Sequence, residues 1–163
     1  MAVIGGSVVG EAVAGVAERL GRALAEGGAV VVCGGLGGVM EAVCRGARAA
    51  GGTTVGILPG SDRAEANPHV AVAVATGLGE ARNAIVVATA DAVVAVAGEF
   101  GTLSEIALAL RAGTPVVGLG TWELRRTGRA RDGIHRPDTP EEAAALALEL
   151  ARGRRTPGRR PVP

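Results

Sequence analysis

The chain has no lysine, and all 17 of its basic residues are arginine. A pyridoxal phosphate enzyme needs a lysine amine for its Schiff base, and a Walker A loop needs one for the β- and γ-phosphates, so both classes are excluded. Tyrosine is absent too, and one Phe and one Trp make up the whole aromatic set. Few rings are left to stack on a nucleobase, which singles out Phe100, the one aromatic residue of a candidate site loop. Cys33 and Cys44 fall in a strand and a helix pattern without metal-ligand spacing. They read as buried thiols of a reduced, cytoplasmic protein, and no metal site is expected. No apolar run reaches membrane-spanning length and the first residues enter a strand without a basic leader, so neither membrane insertion nor export is expected.

What is present is small and apolar. The 163 residues are 48% hydrophobic, mostly Ala and Val, with 27 glycines. That length predicts one domain over residues 1–152. Short β-branched runs at 2–5, 29–33, 53–58, 91–96 and 115–119 read as buried strands, with weaker ones at 72–76 and 134–136. Helical patterns run between them over residues 9–26, 39–50, 79–89 and 102–111, and a last one covers 140–152. Gly27-Gly28 and Gly51-Gly52 supply the stops of the first two helices. Residues 61–71 are polar, carry Asn67-Pro68 and read as a loop. Strands alternating with helices predict an α/β fold: a Rossmann-like, doubly wound parallel sheet with helices on both faces.

Charge is uneven. Residues 1–121 hold 7 Arg against 10 acids, and residues 122–163 hold 10 Arg against 6 acids. The last segment, 153–163, lacks apolar periodicity and reads as a disordered basic tail. Arginine without interleaved aromatics marks a solvated end, and a nucleic-acid partner is not expected.

The most informative stretch is Asp91 to Arg111, a buried strand, a glycine turn and a helix in that order. This arrangement aims backbone N–H groups at a point beyond the sheet edge, where a phosphate fits. Three other segments converge on the same edge: Gly5-Gly6-Ser7, Gly34-Gly35-Leu36-Gly37-Gly38 and Gly79 to Asn83. Together they bring Gly6, Ser7, Gly34, Gly35, Gly37, Gly98, Gly101 and Thr102 as phosphate-binding candidates. Arg82 adds a cation, and Glu80 and Glu105 add carboxylates. An NAD fingerprint is absent, because the glycine cluster follows the second strand and does not complete G-x-G-x-x-G. Each piece has a plain structural alternative. Thr102-Leu-Ser-Glu105 also spells a helix capping box, as does Thr139-Pro-Glu-Glu142. Arg82 would form a surface ion pair, and Gly34 to Gly38 would serve tight strand–helix packing.

The motifs Gly34-Gly35-Leu-Gly37-Gly38-Val-Met-Glu41, Glu80-Ala-Arg82-Asn83 and Gly98-Glu-Phe-Gly101-Thr102-Leu-Ser-Glu105 resemble those of the Lonely Guy family, long labelled "possible lysine decarboxylase". The similarity is greater to the branch that includes molybdenum-cofactor carrier proteins. It runs from about residue 2 to 150, and the missing lysine rules out the decarboxylase label. The resemblance implies a Rossmann-like homodimer or homotetramer and hydrolysis of the N-glycosidic bond of nucleoside 5′-monophosphates, giving base and ribose 5-phosphate. Arg82 and Glu105 would be the catalytic pair, with no required cofactor. The alternative it implies is a non-catalytic carrier of a phosphorylated cofactor of molybdopterin type. Three positions depart from the family pattern: Asn83 replaces a lysine, Ala97 a proline and Glu99 a glycine. A carboxylate at 99 would repel a phosphate unless it points to solvent.

Overall fold

The computed structural model describes residues 1–125, 127–128 and 132–155. Seven strands form one all-parallel sheet: β1 (Ala2–Gly5), β2 (Val31–Cys33), β3 (Thr54–Leu58), β4 (Val72–Ala75), β5 (Val93–Val96), β6 (Val116–Leu119) and β7 (Ile134–His135). Their order is β4-β3-β2-β1-β5-β6-β7. Five α-helices accompany them among the described residues: α1 (Glu11–Glu26), α2 (Val39–Ala49), α3 (Asn83–Ala88), α4 (Phe100–Arg111) and, after the last strand, α5 (Pro140–Arg155). The Rossmann-like α/β architecture is therefore the one the alternating pattern predicts. No helix among the described residues is long and apolar enough to cross a membrane.

Strand alternation divides the core into two layers. Val3, Val31, Cys33, Val94, Val96 and Val117 point toward one face, where Leu20 and Leu24 of α1, Val43 of α2 and Ala147 of α5 cover them. Ala2, Ile4, Val32, Val93, Ala95 and Val116 point the other way, against Val86 and Val87 of α3 and Ile106 and Ala109 of α4. Each fully buried Val, Leu or Ile contributes about 1.5–3 kcal/mol. Alanine buries less, so the layers must approach closely to leave no voids. Helices α1 and α2 do so at two glycines. A Cβ on Gly21 would fall on the carbonyl oxygen of Val43, and one on Gly46 on that of Glu18. The contact is flanked by Arg45, whose Nη2 lies 2.8 Å from Glu18 Oε2.

Helix ends follow local chemistry. After α1, the Gly28 N–H donates to Ala25 O and the Ala29 N–H to Leu24 O, with Gly28 at φ +79°. This is a Schellman motif, and it consumes Ala29, so β2 begins at Val31 and not at 29 as expected. The same pair of bonds closes α2 through Gly51 and Gly52, and α4 through Gly113 and Thr114. Helix α5 continues to Arg155, three residues into the segment expected to be disordered; residues 156–163 of that expectation lie outside the described residues.

Two expected helices start differently. The 79–89 pattern is a 3-10 turn over Gly79–Arg82 followed by α3. Helix α4 begins at Phe100, two residues before Thr102. Its N-cap is Glu99, with no side-chain capping bond. Thr102 is therefore not a cap, and the capping-box alternative at Thr102–Glu105 is corrected. The cause lies just upstream, where Ala97 at φ +48° and Gly98 at φ +108° turn the chain so sharply that the helix begins at once.

Candidate functional site

The chain runs outward from β1 through β2 and β3 to β4, then returns to β5 on the other side of β1. Strands β1 and β5 pair directly, from Ala2 with Val93 to Gly5 with Val96. Where strand order reverses, the loops leaving the carboxyl ends diverge and open a crevice. A cavity of about 210 Å³ occupies that point. All four converging segments line it: Gly5, Gly6 and Ser7 at the end of β1; Gly34 and Leu36 after β2; Glu80, Arg82 and Asn83 at the start of α3; Glu99, Gly101, Thr102 and Glu105 from α4 and its cap.

The glycines divide by task. Gly6, Gly34 and Gly101 line the cavity, whereas Gly35, Gly37 and Gly98 do not. A Cβ on Gly35 would lie 2.8 Å from Leu58 Cδ2, and one on Gly98 2.5 Å from Thr102 Oγ1. These positions serve close packing that shapes the loops. Gly38, at φ +62°, sits against the Gly6 and Ser7 backbone, and the Val39 N–H donates to Gly6 O at 3.0 Å. The β1 and β2 loops are thus tied together at the N-terminus of α2. Phe100, Gly101 and Thr102 form the first turn of α4, whose N–H groups have no acceptor within the helix.

The floor is charged and dry. Arg82 and Glu105 are 7% and 6% exposed. Arg82 Nη1 lies 3.9 Å from Glu105 Oε1, an ion pair too long for a hydrogen bond. The surface-pair alternative for Arg82 is therefore corrected, since its partner is the buried Glu105. Glu80 is exposed and instead accepts from Asn83 Nδ2 at 3.3 Å. Among the described residues, two buried side-chain atoms have no hydrogen-bond partner: Arg82 Nε and Asn83 Oδ1. A desolvated guanidinium with an orphaned N–H is costly unless an acceptor completes it. Burial pushes the Glu105 carboxyl up to about 7, opposed by the Arg82 cation and assisted by the Glu80 carboxylate.

Glu99 lines the rim of the cavity and is exposed, so its charge stays solvated. Its carbonyl oxygen accepts from Trp122 Nε1 at 3.2 Å. Ala97 adopts a φ that a proline ring cannot reach, and its N–H donates to Leu119 O at 2.9 Å. The departure from the family proline therefore goes with a different local backbone. Cys33 and Cys44 are free and buried, with their sulfurs 3.5 Å apart behind the Gly34 loop.

One positioning residue escapes sequence reasoning. Asn67 Nδ2 donates to Gly35 O at 3.2 Å and Leu36 O at 2.9 Å, and the Asn67 N–H also donates to Gly35 O. It pins the Gly34–Gly38 loop from a segment 32 residues away. Its only signal in the sequence is an Asn-Pro pair, which reads as a turn.

A model of the SLOG cluster4 family matches residues 1–144. An uncharacterized protein of Archaeoglobus fulgidus is 41% identical over 146 residues, spanning 90% of this chain and 92% of its own. The molybdenum cofactor binding protein of Rippkaea orientalis superposes with a TM-score of 0.84 at 34% identity, over 91% of this chain and 94% of that one. The molybdenum cofactor carrier protein MCP of Chlamydomonas reinhardtii gives 0.80 at 34% identity, over 91% and 96%. The likeness to the carrier branch, read from three motifs, thus extends over 91% of the chain, and the chain belongs to the SLOG cluster4 family.

Proposed function

We propose that this protein is a non-catalytic binder or carrier of a phosphorylated, ring-bearing small molecule of molybdenum-cofactor type. The observation that carries the reading is the orphaned Nε of Arg82, desolvated in a cavity at the β1–β5 switch point. A phosphate oxygen would supply the missing acceptor. Gly6, Ser7, Gly34, Gly101 and Thr102 would surround that group with backbone and hydroxyl donors. The cavity's volume of about 210 Å³ falls below the roughly 300–1,000 Å³ of pockets that enclose a whole small molecule. It suits the phosphate end of such a ligand and leaves the ring system at the mouth. Glu105 supports binding in its protonated form, because a neutral carboxyl donates to a phosphate where a carboxylate repels it. The proteins of similar structure that bind molybdenum cofactor support the ligand class.

A second reading keeps the same cradle and adds turnover: hydrolysis of nucleoside 5′-monophosphates, with Glu105 and Arg82 as the catalytic pair. It is favoured by the Glu105 carboxyl near 7, the range in which a general acid can protonate a departing base. One experiment separates the two. The protein is incubated with AMP, GMP and CMP, and free base is followed by chromatography while binding is followed by calorimetry. Binding without base release is expected. Release that vanishes in Glu105→Gln would establish the hydrolase in place of the carrier.

A further inference from the structure

The chain contains one Phe and one Trp and no Tyr, and these two residues meet. The Phe100 and Trp122 ring centroids are 5.5 Å apart, with the planes tilted by 41°. Phe100 is 76% exposed. It stands between Glu99 and Gly101, both of which line the cavity. Trp122 leaves the end of β6 and is tied to the same rim by the bond from its Nε1 to Glu99 O. The pair is thus tied to the backbone of a rim residue and stays partly hydrated, and burying an exposed ring face is favourable.

We propose that the Phe100–Trp122 pair is the stacking face for the planar ring of the phosphorylated ligand, and so selects ring-bearing phosphates over simple ones. This rests on the reading of the cavity as a phosphate site. The two halves of the ligand are then recognised separately. The cation and helix N-termini take the phosphate, and the ring pair takes the heterocycle that the small cavity excludes. Stacking on an aromatic face tolerates many ring types, so the pair sets a class of ligand and not one base.

Trp122 is the sole tryptophan, so its emission reports directly on the platform. The full chain is titrated with ribose 5-phosphate and, separately, with GMP. Both are expected to bind. GMP should bind about five- to a hundredfold more tightly and quench Trp122, whereas ribose 5-phosphate should leave the emission unchanged. Phe100→Ala should cancel that advantage without changing ribose 5-phosphate affinity, and Phe100→Tyr, which keeps the ring face, should retain it. Equal affinity for the two ligands, with Phe100→Ala silent, overturns the platform and leaves the phosphate site standing. Failure of both ligands to bind at millimolar concentration overturns the phosphate reading and the platform with it. If Phe100→Ala instead lowers the mass measured by light scattering and leaves GMP affinity intact, the pair is a contact between copies of the chain and the proposal falls.

Discussion

The guanidinium of Arg82 and the carboxyl of Glu105 face each other 3.9 Å apart, and each side chain is 8% exposed. At that depth the pair gains less from its attraction than it loses in hydration, which is why the Glu105 carboxyl rises despite a cation beside it.

This gives stability a pH dependence of definite sign. The folded-state carboxyl sits at about 7 and its ordinary value is 4.5, so between those values the folded protein holds a proton that the unfolded chain has lost. Stability from this group is therefore present below pH 4.5, falls as pH rises toward 7 and is flat above it. The total is about 3 kcal/mol. Glu105→Gln cannot titrate, so its urea-melt stability should lack this decline and exceed that of the wild type at pH 8.

Anion affinity should follow the same proton. Sulfate keeps its charge across the neutral range, which makes it the clean probe. Its affinity for the wild type should fall several-fold from pH 6 to 8 as Glu105 ionises, and stay level in Glu105→Gln. Arg82→Met should lower sulfate affinity by about ten- to a hundredfold, since a hydrogen bond to a charged group contributes about 1.5–3 kcal/mol. It should also lower stability at pH 8, because it leaves the buried Glu105 carboxylate without its counter-ion. A loss of stability with binding intact would mean that Arg82 serves the fold alone.

Two glycines four residues apart should behave oppositely. A Cβ on Gly34 would lie 2.6 Å from Arg82 Nη1 and 2.7 Å from Met40 Sδ, both ends of flexible side chains. Gly34→Ala should therefore fold and lose anion affinity, because it displaces the guanidinium. Gly38 has φ +62° and abuts Gly6 and Ser7 backbone, which cannot yield. Gly38→Ala should cost several kcal/mol in a denaturant melt, combining strain with a backbone clash.

Thr139 is a true cap. Its Oγ1 accepts from the Glu142 N–H at 3.2 Å, and Glu142 Oε2 accepts from the Thr139 N–H at 3.3 Å. Thr139→Ala should cost about 1 kcal/mol, readable as a lowered melting temperature.

The two capping-box sequences show how far the chain could be read directly. Both spell Thr-x-x-Glu, and a box is a local pattern, so sequence cannot say which one the chain uses as a cap. The deciding fact is the backbone of Ala97 and Gly98, whose positive φ values start α4 early and place Glu105 in the second turn, facing the cavity. Strand and helix positions were legible because valine runs and paired glycines act locally: β1, β5 and the Schellman stops fall at or within two residues of their expected places. Gathering Gly6, Gly34, Arg82 and Glu105 at one edge was legible from the topology that alternation imposes. Asn67 was not, because its partners lie 32 and 31 residues away and only the folded chain brings them together.

The close approach of α1 and α2 at Gly21 and Gly46 also bears on the walls of the crevice. With carbonyl oxygens where Cβ atoms would be, the two helices meet backbone to backbone at both points and form one plate. That plate carries the Gly34–Gly38 loop, which is bound to Gly6 through Val39. The opposite wall combines a four-residue 3-10 turn, the six-residue α3 and the start of the twelve-residue α4. The crevice is thus asymmetric: Arg82 and Asn83 stand on its shortest elements, and the glycine loops stand on the paired long helices.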